Sequence, residues 1–268
     1  MIVRLSGGLG NQMFQYAFGL AAAQEWGEPL YIDTFAYLRD RARCYELSKL
    51  NVDAKKIGFI KQLKYNLNIF SKGCIEYEHT LFGTQNLNKN KEYFFGCWQN
   101  VMYFKEIKVQ LNSIYTCQCK NVNVSKIAEE MKHTASVAIH VRHGDYTRLE
   151  NIYVIQSIRY YMEAMEYIEN RIKSPQYYIF SDDIAWCRDE FKNTGNIHFV
   201  TGNSTVEDYF LMLKCKHHII ANSTFSWWPA WFSCDDKSSI NIAPKYWFKD
   251  ISANKRVKGA MLEEFVVL

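Results

Sequence analysis

Val137-Ala138-Ile139-His140-Val141-Arg142-His143-Gly144-Asp145 is an apolar run that ends abruptly in charge and glycine. The pattern predicts a strand over residues 137–141. Strand side chains alternate, so Ala138, His140 and Arg142 share one face and Val137, Ile139 and Val141 the other. An arginine at the end of a buried strand needs an anionic partner. Two partners fit: Asp145, in a salt bridge that pins the turn, or an anion from outside the chain. His140 likewise reads either as a hydrogen-bonded core histidine or as a ligand contact.

Outward from this strand the pattern repeats. Further strands are predicted at 177–180, 197–200, 218–221 and 239–242, with helices near 157–172, 184–191, 205–214 and 225–232. Alternation of this kind predicts an α/β fold, a parallel sheet covered on both faces. The helix at Thr205 opens with a capping-box pattern, Ser204-Thr205-Val206-Glu207. The first 33 residues make a second β-loop-α-β pattern: an apolar run at 2–5, the loop Ser6-Gly7-Gly8-Leu9-Gly10-Asn11, then Met13, Ala17, Leu20 and Ala21 at helical spacing. Gly27 and Pro29 stop that helix before a strand at 30–32. Residues 34–119 are less regular, with one strand predicted at 93–95. The reading is two α/β domains facing each other, residues 1–128 and 129–268, divided near 125–133.

Ligands of open α/β sheets bind beyond the carboxyl ends of the strands. Four strand ends here carry small, polar or charged residues suited to an anion: the glycine loop, Arg142-His143-Gly144-Asp145, Ser181-Asp182-Asp183 and Asn222-Ser223-Thr224-Phe225-Ser226. The glycine loop lets backbone N–H groups approach an anion, or is a tight turn capped by Asn11. It has neither the Gly-Lys-Ser/Thr of a Walker loop nor the GxGxxG spacing of dinucleotide binders. Asp182 and Asp183 invite comparison with a metal site, but helix capping explains them, and no metal is expected. Asp208 in a first helical turn suits the dipole or a ligand, and the hydroxyls at 223–226 serve as caps or as phosphate donors.

Composition narrows the class. The chain has 268 residues, 48% hydrophobic and 22% charged, as in a folded globular protein. A net charge of +4 is too weak for nucleic-acid binding. The charge is uneven, with ten lysines against five acids between Asn51 and Lys120. That excess is either a solvated basic face or a contact with an anionic membrane surface. The chain opens directly as Met1-Ile2-Val3-Arg4-Leu5 and contains no signal-like or spanning apolar run. It therefore reads as cytoplasmic, at most peripheral to the inner membrane, or as having lost an anchor ahead of this segment. Eight cysteines without a CxxC pair read as buried thiols, not zinc ligands or disulfides.

At its strand-end motifs the sequence resembles the bacterial α1,2-fucosyltransferases, glycosyltransferase family 11. More remotely it is similar to the wider α1,2/α1,6/protein-O-fucosyltransferase superfamily. The resemblance rests on Ser6-Gly7-Gly8-Leu9-Gly10-Asn11-Gln12-Met13-Phe14-Gln15-Tyr16 and on His140-Val141-Arg142-His143-Gly144-Asp145-Tyr146. It extends to Tyr178-Ile179-Phe180-Ser181-Asp182-Asp183, Asn222-Ser223-Thr224-Phe225-Ser226-Trp227-Trp228, Gly96-Cys97-Trp98-Gln99 and Ala243-Pro244-Lys245-Tyr246-Trp247. It implies a GT-B-like pair of facing Rossmann-like domains, an acceptor half before a donor half. It also implies GDP-β-L-fucose as donor, a β-galactoside acceptor of a bacterial surface glycan, inversion, and no metal or other cofactor. Arg142 would contact the diphosphate, and His140 and Asp208 the guanosine. Ser223, Thr224 and Ser226 would lie at the nucleotide and phosphates with Phe225 beside them, and Gly8 and Asn11 would approach the diphosphate from the other domain. Glu150, ten residues after His140, matches a spacing of α1,6 relatives and is the candidate general base. His143 departs from the second arginine of the family motif. Strand alternation predicts that it points away from the diphosphate and braces the turn, or, if the strand continues past Arg142 or twists at Gly144, that it enters the site as a pH-sensitive phosphate contact.

Other classes stay open at this level: a fucosyltransferase of another linkage, a non-catalytic nucleotide-sugar or carbohydrate binder, and a dinucleotide oxidoreductase. The missing GxGxxG weakens the last.

Overall fold

A computed structural model of the chain describes residues 1–67, 72–79, 81–117, 119–144, 146–192 and 194–268. They form two compact units: Met1–Cys117 with Arg256–Ala260, and Gln118–Lys255 with Met261–Leu268.

The first unit contains β1 (Ile2–Arg4), α1 (Leu9–Trp26), β2 (Tyr31–Asp33), β3 (Lys55–Lys56), α2 (Phe59–Asn66), β4 (Ile75–Tyr77), β5 (Tyr93–Phe95) and α3 (Lys108–Ile114). The strands make one parallel sheet in the order β3-β2-β1-β5-β4. Much of the aromatic content goes into its core, where Phe18 stacks on Trp98 with ring centroids 3.9 Å apart.

The second unit contains α4 (Val122–Lys132), β6 (Ser136–Val141), α5 (Ile158–Glu169), β7 (Gln176–Ser181), α6 (Ile184–Glu190), β8 (Ile197–Phe199), α7 (Thr205–Met212), β9 (His217–Ile219), α8 (Thr224–Ser233) and β10 (Asn241–Ala243). α9 (Ile251–Arg256) leads out of it, and β11 (Phe265–Val267) returns to it. Its six strands are also all parallel, in the order β11-β10-β9-β6-β7-β8.

The central strand β6 shows why this sheet is covered on both faces. Val137, Ile139 and Val141 share a core with Tyr161, Ala164 and Met165 of α5 and Cys187 of α6. Ala138 turns the other way, into a core with Ala128 and Met131 of α4 and Leu211 and Met212 of α7. Each large apolar side chain buried in these layers contributes ~1.5–3 kcal/mol. The expected alternation of faces is present, and so is the capping box of α7: the Ser204 hydroxyl accepts from the Glu207 N–H while Glu207 takes the Ser204 N–H at 2.7 Å.

Three expectations change. The units divide at 117/118, ahead of 125–133, because Val124, Ala128 and Met131 bury one stripe of α4 in the second core. Residues 256–260 return to the first unit. Of the eight cysteines, only Cys187 and Cys215 are buried, and Cys44 is exposed. No helix among the described residues is long and apolar enough to cross a membrane.

Candidate functional site at the carboxyl ends of the strands

In the second unit the site begins with register. β6 and β7 run parallel with Val141 opposite Ser181, so Arg142 and Asp182 leave the sheet side by side. Arg142 Nε lies 3.4 Å from Asp182 Oδ2. Asp182 Oδ1 accepts the backbone N–H groups of His143 and Gly144 at 3.0 and 3.1 Å. One carboxylate thus holds both the turn and the guanidinium, whose Cζ lies 5.6 Å from the centre of the Tyr146 ring. Asp145, the partner weighed from spacing, lies outside the described residues.

Asp183 caps α6 by accepting the Trp186 N–H at 3.1 Å. Its other oxygen lies 2.8 Å from His143 Nδ1, and the imidazole stacks on Trp186 at 4.6 Å. The Trp186 N–H, then the histidine, hold the Asp183 carboxyl below its ordinary range. His143 therefore braces α6 against the turn, as alternation predicts. We expect His143→Ala to cost ~1–2 kcal/mol of stability through the lost contact and stack. A thermal melt checks this; an unchanged melting temperature would mean that the imidazole does not brace the turn.

His140 is 4% exposed, and its Nδ1 is 2.9 Å from Ser226 Oγ. Phe225 meets the ring edge-on at 5.6 Å. Burial, helped by the Arg142 charge and opposed by Asp182, pushes the His140 pKa down to about 3. A neutral ring offers one donor and one acceptor, and Ser226 engages one of them. β9 pairs with β6, so the start of α8 stands beside this histidine. Ser223 caps α8 and accepts the Phe225 N–H at 3.3 Å. Thr224, Phe225 and Ser226 form the first turn that follows.

Asp208 sits on α7, where burial and the nearby Glu207 raise its pKa to about 6, against a hydrogen bond from the Asn203 amide at 3.0 Å. A carboxyl whose folded pKa is raised binds its proton more tightly in the folded state. Stability is therefore lost as pH rises from about 4 through about 6 and stays reduced above. Removing that penalty, Asp208→Asn should stabilise the unliganded protein at pH 7–8 by up to ~3 kcal/mol and change little near pH 4. Denaturant titration at the two pH values checks it; equal gains at both would mean that the charge is not the cause.

Glu150 lies exposed just beyond the short 3-10 turn Tyr146–Leu149. Gly8 and Asn11 belong to the first unit. Gly7 takes φ +76°, a conformation that favours glycine, and Gly8 precedes α1. Asn11 is not the cap: it lies inside α1, and its Oδ1 accepts from Gln99 Nε2 at 3.0 Å.

Sequence reasoning missed the groups that hold these loops. Gln12, fully buried, donates to Gly7 O and Cys44 O at 3.0 and 2.8 Å. Gln15 accepts the Ser6 N–H and donates to Gly96 O. In the second unit the Asn222 side-chain amide donates to Val154 O and Trp247 O, while the Asn222 backbone carbonyl accepts from the Tyr146 hydroxyl. Glutamine inside a glycine-led helix was the available signal; for Asn222 it was a buried amide at a strand end.

The family described as glycosyl transferase family 11 matches residues 1–268. An α-1,2-colitosyltransferase of Escherichia coli is 34% identical over 272 residues, covering 93% of this chain and 92% of that one. The O-antigen biosynthesis glycosyltransferase WbnK of Escherichia coli is 31% identical over 296 residues, covering 94% and 96%. Among solved structures, the fucosyltransferase NodZ from Bradyrhizobium superposes with a TM-score of 0.56 at 15% identity, covering 85% of this chain and 91% of that one. A NodZ α-1,6-fucosyltransferase structure soaked with GDP-fucose gives 0.52 at 14% identity, covering 85% and 90%. Two Rossmann-like parallel sheets of this kind make a GT-B-like fold. The chain belongs to glycosyltransferase family 11.

Proposed function

We propose that the enzyme transfers L-fucose from GDP-β-L-fucose to the 2-hydroxyl of a terminal β-galactoside, with inversion and without a metal ion. The carrying observation is Arg142, oriented by Asp182 at the end of β6, beside the His140–Ser226 pair and the start of α8. Departure of GDP builds charge on the β-phosphate, and a fixed cation with nearby helix-end donors stabilises it. In this reading Arg142 takes the diphosphate, and His140 and Asp208 read the guanosine. Ser223, Thr224 and Ser226 donate to nucleotide and phosphates while Phe225 packs beside them. Gly8 and Asn11 keep the diphosphate role that the resemblance gives them. Glu150 is the candidate base for the attacking hydroxyl, and an exposed turn leaves it room to meet an acceptor. The metal-free mechanism is supported by Asp182 and Asp183, whose oxygens already serve Arg142, His143, Gly144 and Trp186. The β-galactoside acceptor is supported by short matches to galactoside α-(1,2)-fucosyltransferases, such as that of Sus scrofa, 31% identical over 105 residues, 36% of this chain and 31% of that one.

The colitosyltransferase relative favours a second reading, in which the donor sugar is colitose, a fucose without its 3-hydroxyl. The deciding experiment incubates the enzyme, dialysed against EDTA, with lactose and either GDP-fucose or GDP-colitose, and assigns the product linkage by NMR. A 2-linked fucoside without added metal is expected. Turnover of GDP-colitose alone selects the second donor, and activity that needs magnesium or manganese overturns the metal-free step.

A further inference from the structure

Helix α2 in the first unit is amphipathic with its apolar side outward. Its inner side seats the Tyr65 ring on Tyr93, centroids 4.3 Å apart, and is otherwise polar: Gln62 donates to Ile57 O, the Tyr65 hydroxyl bonds Glu92, and Asn66 bonds the buried Asp33. Its outer side carries Phe59, Ile60 and Leu67, exposed by 61%, 71% and 49%. Ile60 and Leu67 are two turns apart and lie on one stripe. Ordinary solvent-facing helices show the reverse pattern.

Charge surrounds that stripe. From Ala54 to Leu67 the sequence has four lysines, Lys55, Lys56, Lys61 and Lys64, and no acid. All four are exposed, two of them on the edge strand β3 that leads into the helix. Lys61 pairs with Glu92, and Lys56 lies over the Tyr45 ring at 4.2 Å. Gly58, Phe59, Ile60, Lys61 and Lys64 line one open concavity.

We propose that this face docks on an anionic lipid surface, Phe59 and Ile60 entering the boundary between headgroups and acyl chains while the lysines meet lipid phosphates. Outward apolar side chains ringed by lysines at helical spacing are what an interfacial helix requires. Charge complementarity selects anionic lipid over a neutral bilayer.

Flotation with vesicles of phosphatidylcholine, alone or with roughly one-third phosphatidylglycerol, tests this without any sugar donor, so its result is independent of the proposed reaction. The full chain should bind the anionic vesicles selectively, and added salt should release it. Phe59→Ser with Ile60→Ser should lower the bound fraction about tenfold or more, and replacing Lys55, Lys56 and Lys64 by Gln about fivefold per lysine. Val109→Ser, which removes an apolar side chain of 83% exposure from α3, should change nothing. Equal binding to both vesicles, no binding, or an equal loss from Val109→Ser overturns the proposal. So does concentration-dependent self-association, seen by light scattering, that Phe59→Ser with Ile60→Ser abolishes, because the face would then meet a second copy of the chain.

Discussion

Arg142→Lys is expected to melt at the parent temperature and to lose roughly a hundredfold or more in turnover, close to the loss in Arg142→Ala. The fold should survive because Asp182 keeps its two backbone N–H groups from His143 and Gly144 when the guanidinium goes. Activity should not. Nε faces Asp182, which sets the plane of the guanidinium at the strand end. A lysine supplies charge but neither that plane nor a paired donor edge. Loss of one fixed charge-stabilising donor is worth ~3 kcal/mol in the transition state. Steady-state kinetics with GDP-fucose, alongside a thermal melt, decide it. Near-normal turnover by the lysine enzyme would mean that Arg142 acts only as a point charge.

Gly259→Ala should destabilise the first unit by ~3 kcal/mol or more. A Cβ at this position would stand 1.9 Å from the Phe82 carbonyl oxygen and 2.4 Å from Asn100 Nδ2. That amide already donates to the same carbonyl at 2.7 Å, and Phe82 itself holds φ +62°. Neither neighbour is the loose end of a flexible side chain, so the clash must displace backbone. For a chain of this size the loss corresponds to a fall in melting temperature on the order of 6–12 °C. Scanning calorimetry measures it, and new proteolytic cleavage near 256–260 should accompany it. An unchanged melt would show that this segment does not pack against Phe82.

The second sheet was legible in the sequence because its strands are apolar runs closed by polar turns. All five predicted strands of that unit are present, shifted by one or two residues. β3 and β4 were not legible: one is two exposed lysines, and the other, Ile75-Glu76-Tyr77, carries an acid at its centre, which breaks the apolar run. β11 ends the chain after Glu263-Glu264 as Phe-Val-Val, a β-branched signal that was overlooked. α4 was overlooked as well, although Val124, Ala128 and Met131 fall at helical spacing behind an Asn121 cap. α2 misleads any reading that assigns apolar residues to the core. At the site, sequence located Arg142 and its strand but not its partner. Asp182 is forty residues away, and only the β6–β7 register brings the two together. Asp145 was the nearer acid, and nearness along a chain is a poor guide where parallel strands set the neighbours.

The return of residues 256–260 to the first unit means that the chain passes between the units three times, after 117, 255 and 260. A hybrid joining the first half of one relative to the second half of another at a single crossover therefore inherits a mismatched plug, with Gly259 and its neighbours meeting a foreign Phe82 and Asn100. Swaps intended to exchange acceptor or donor preference within this family should move two blocks together, 1–117 and 256–260. Single-junction libraries will otherwise be filled with poorly folding members, and their silence will be mistaken for incompatibility of specificity.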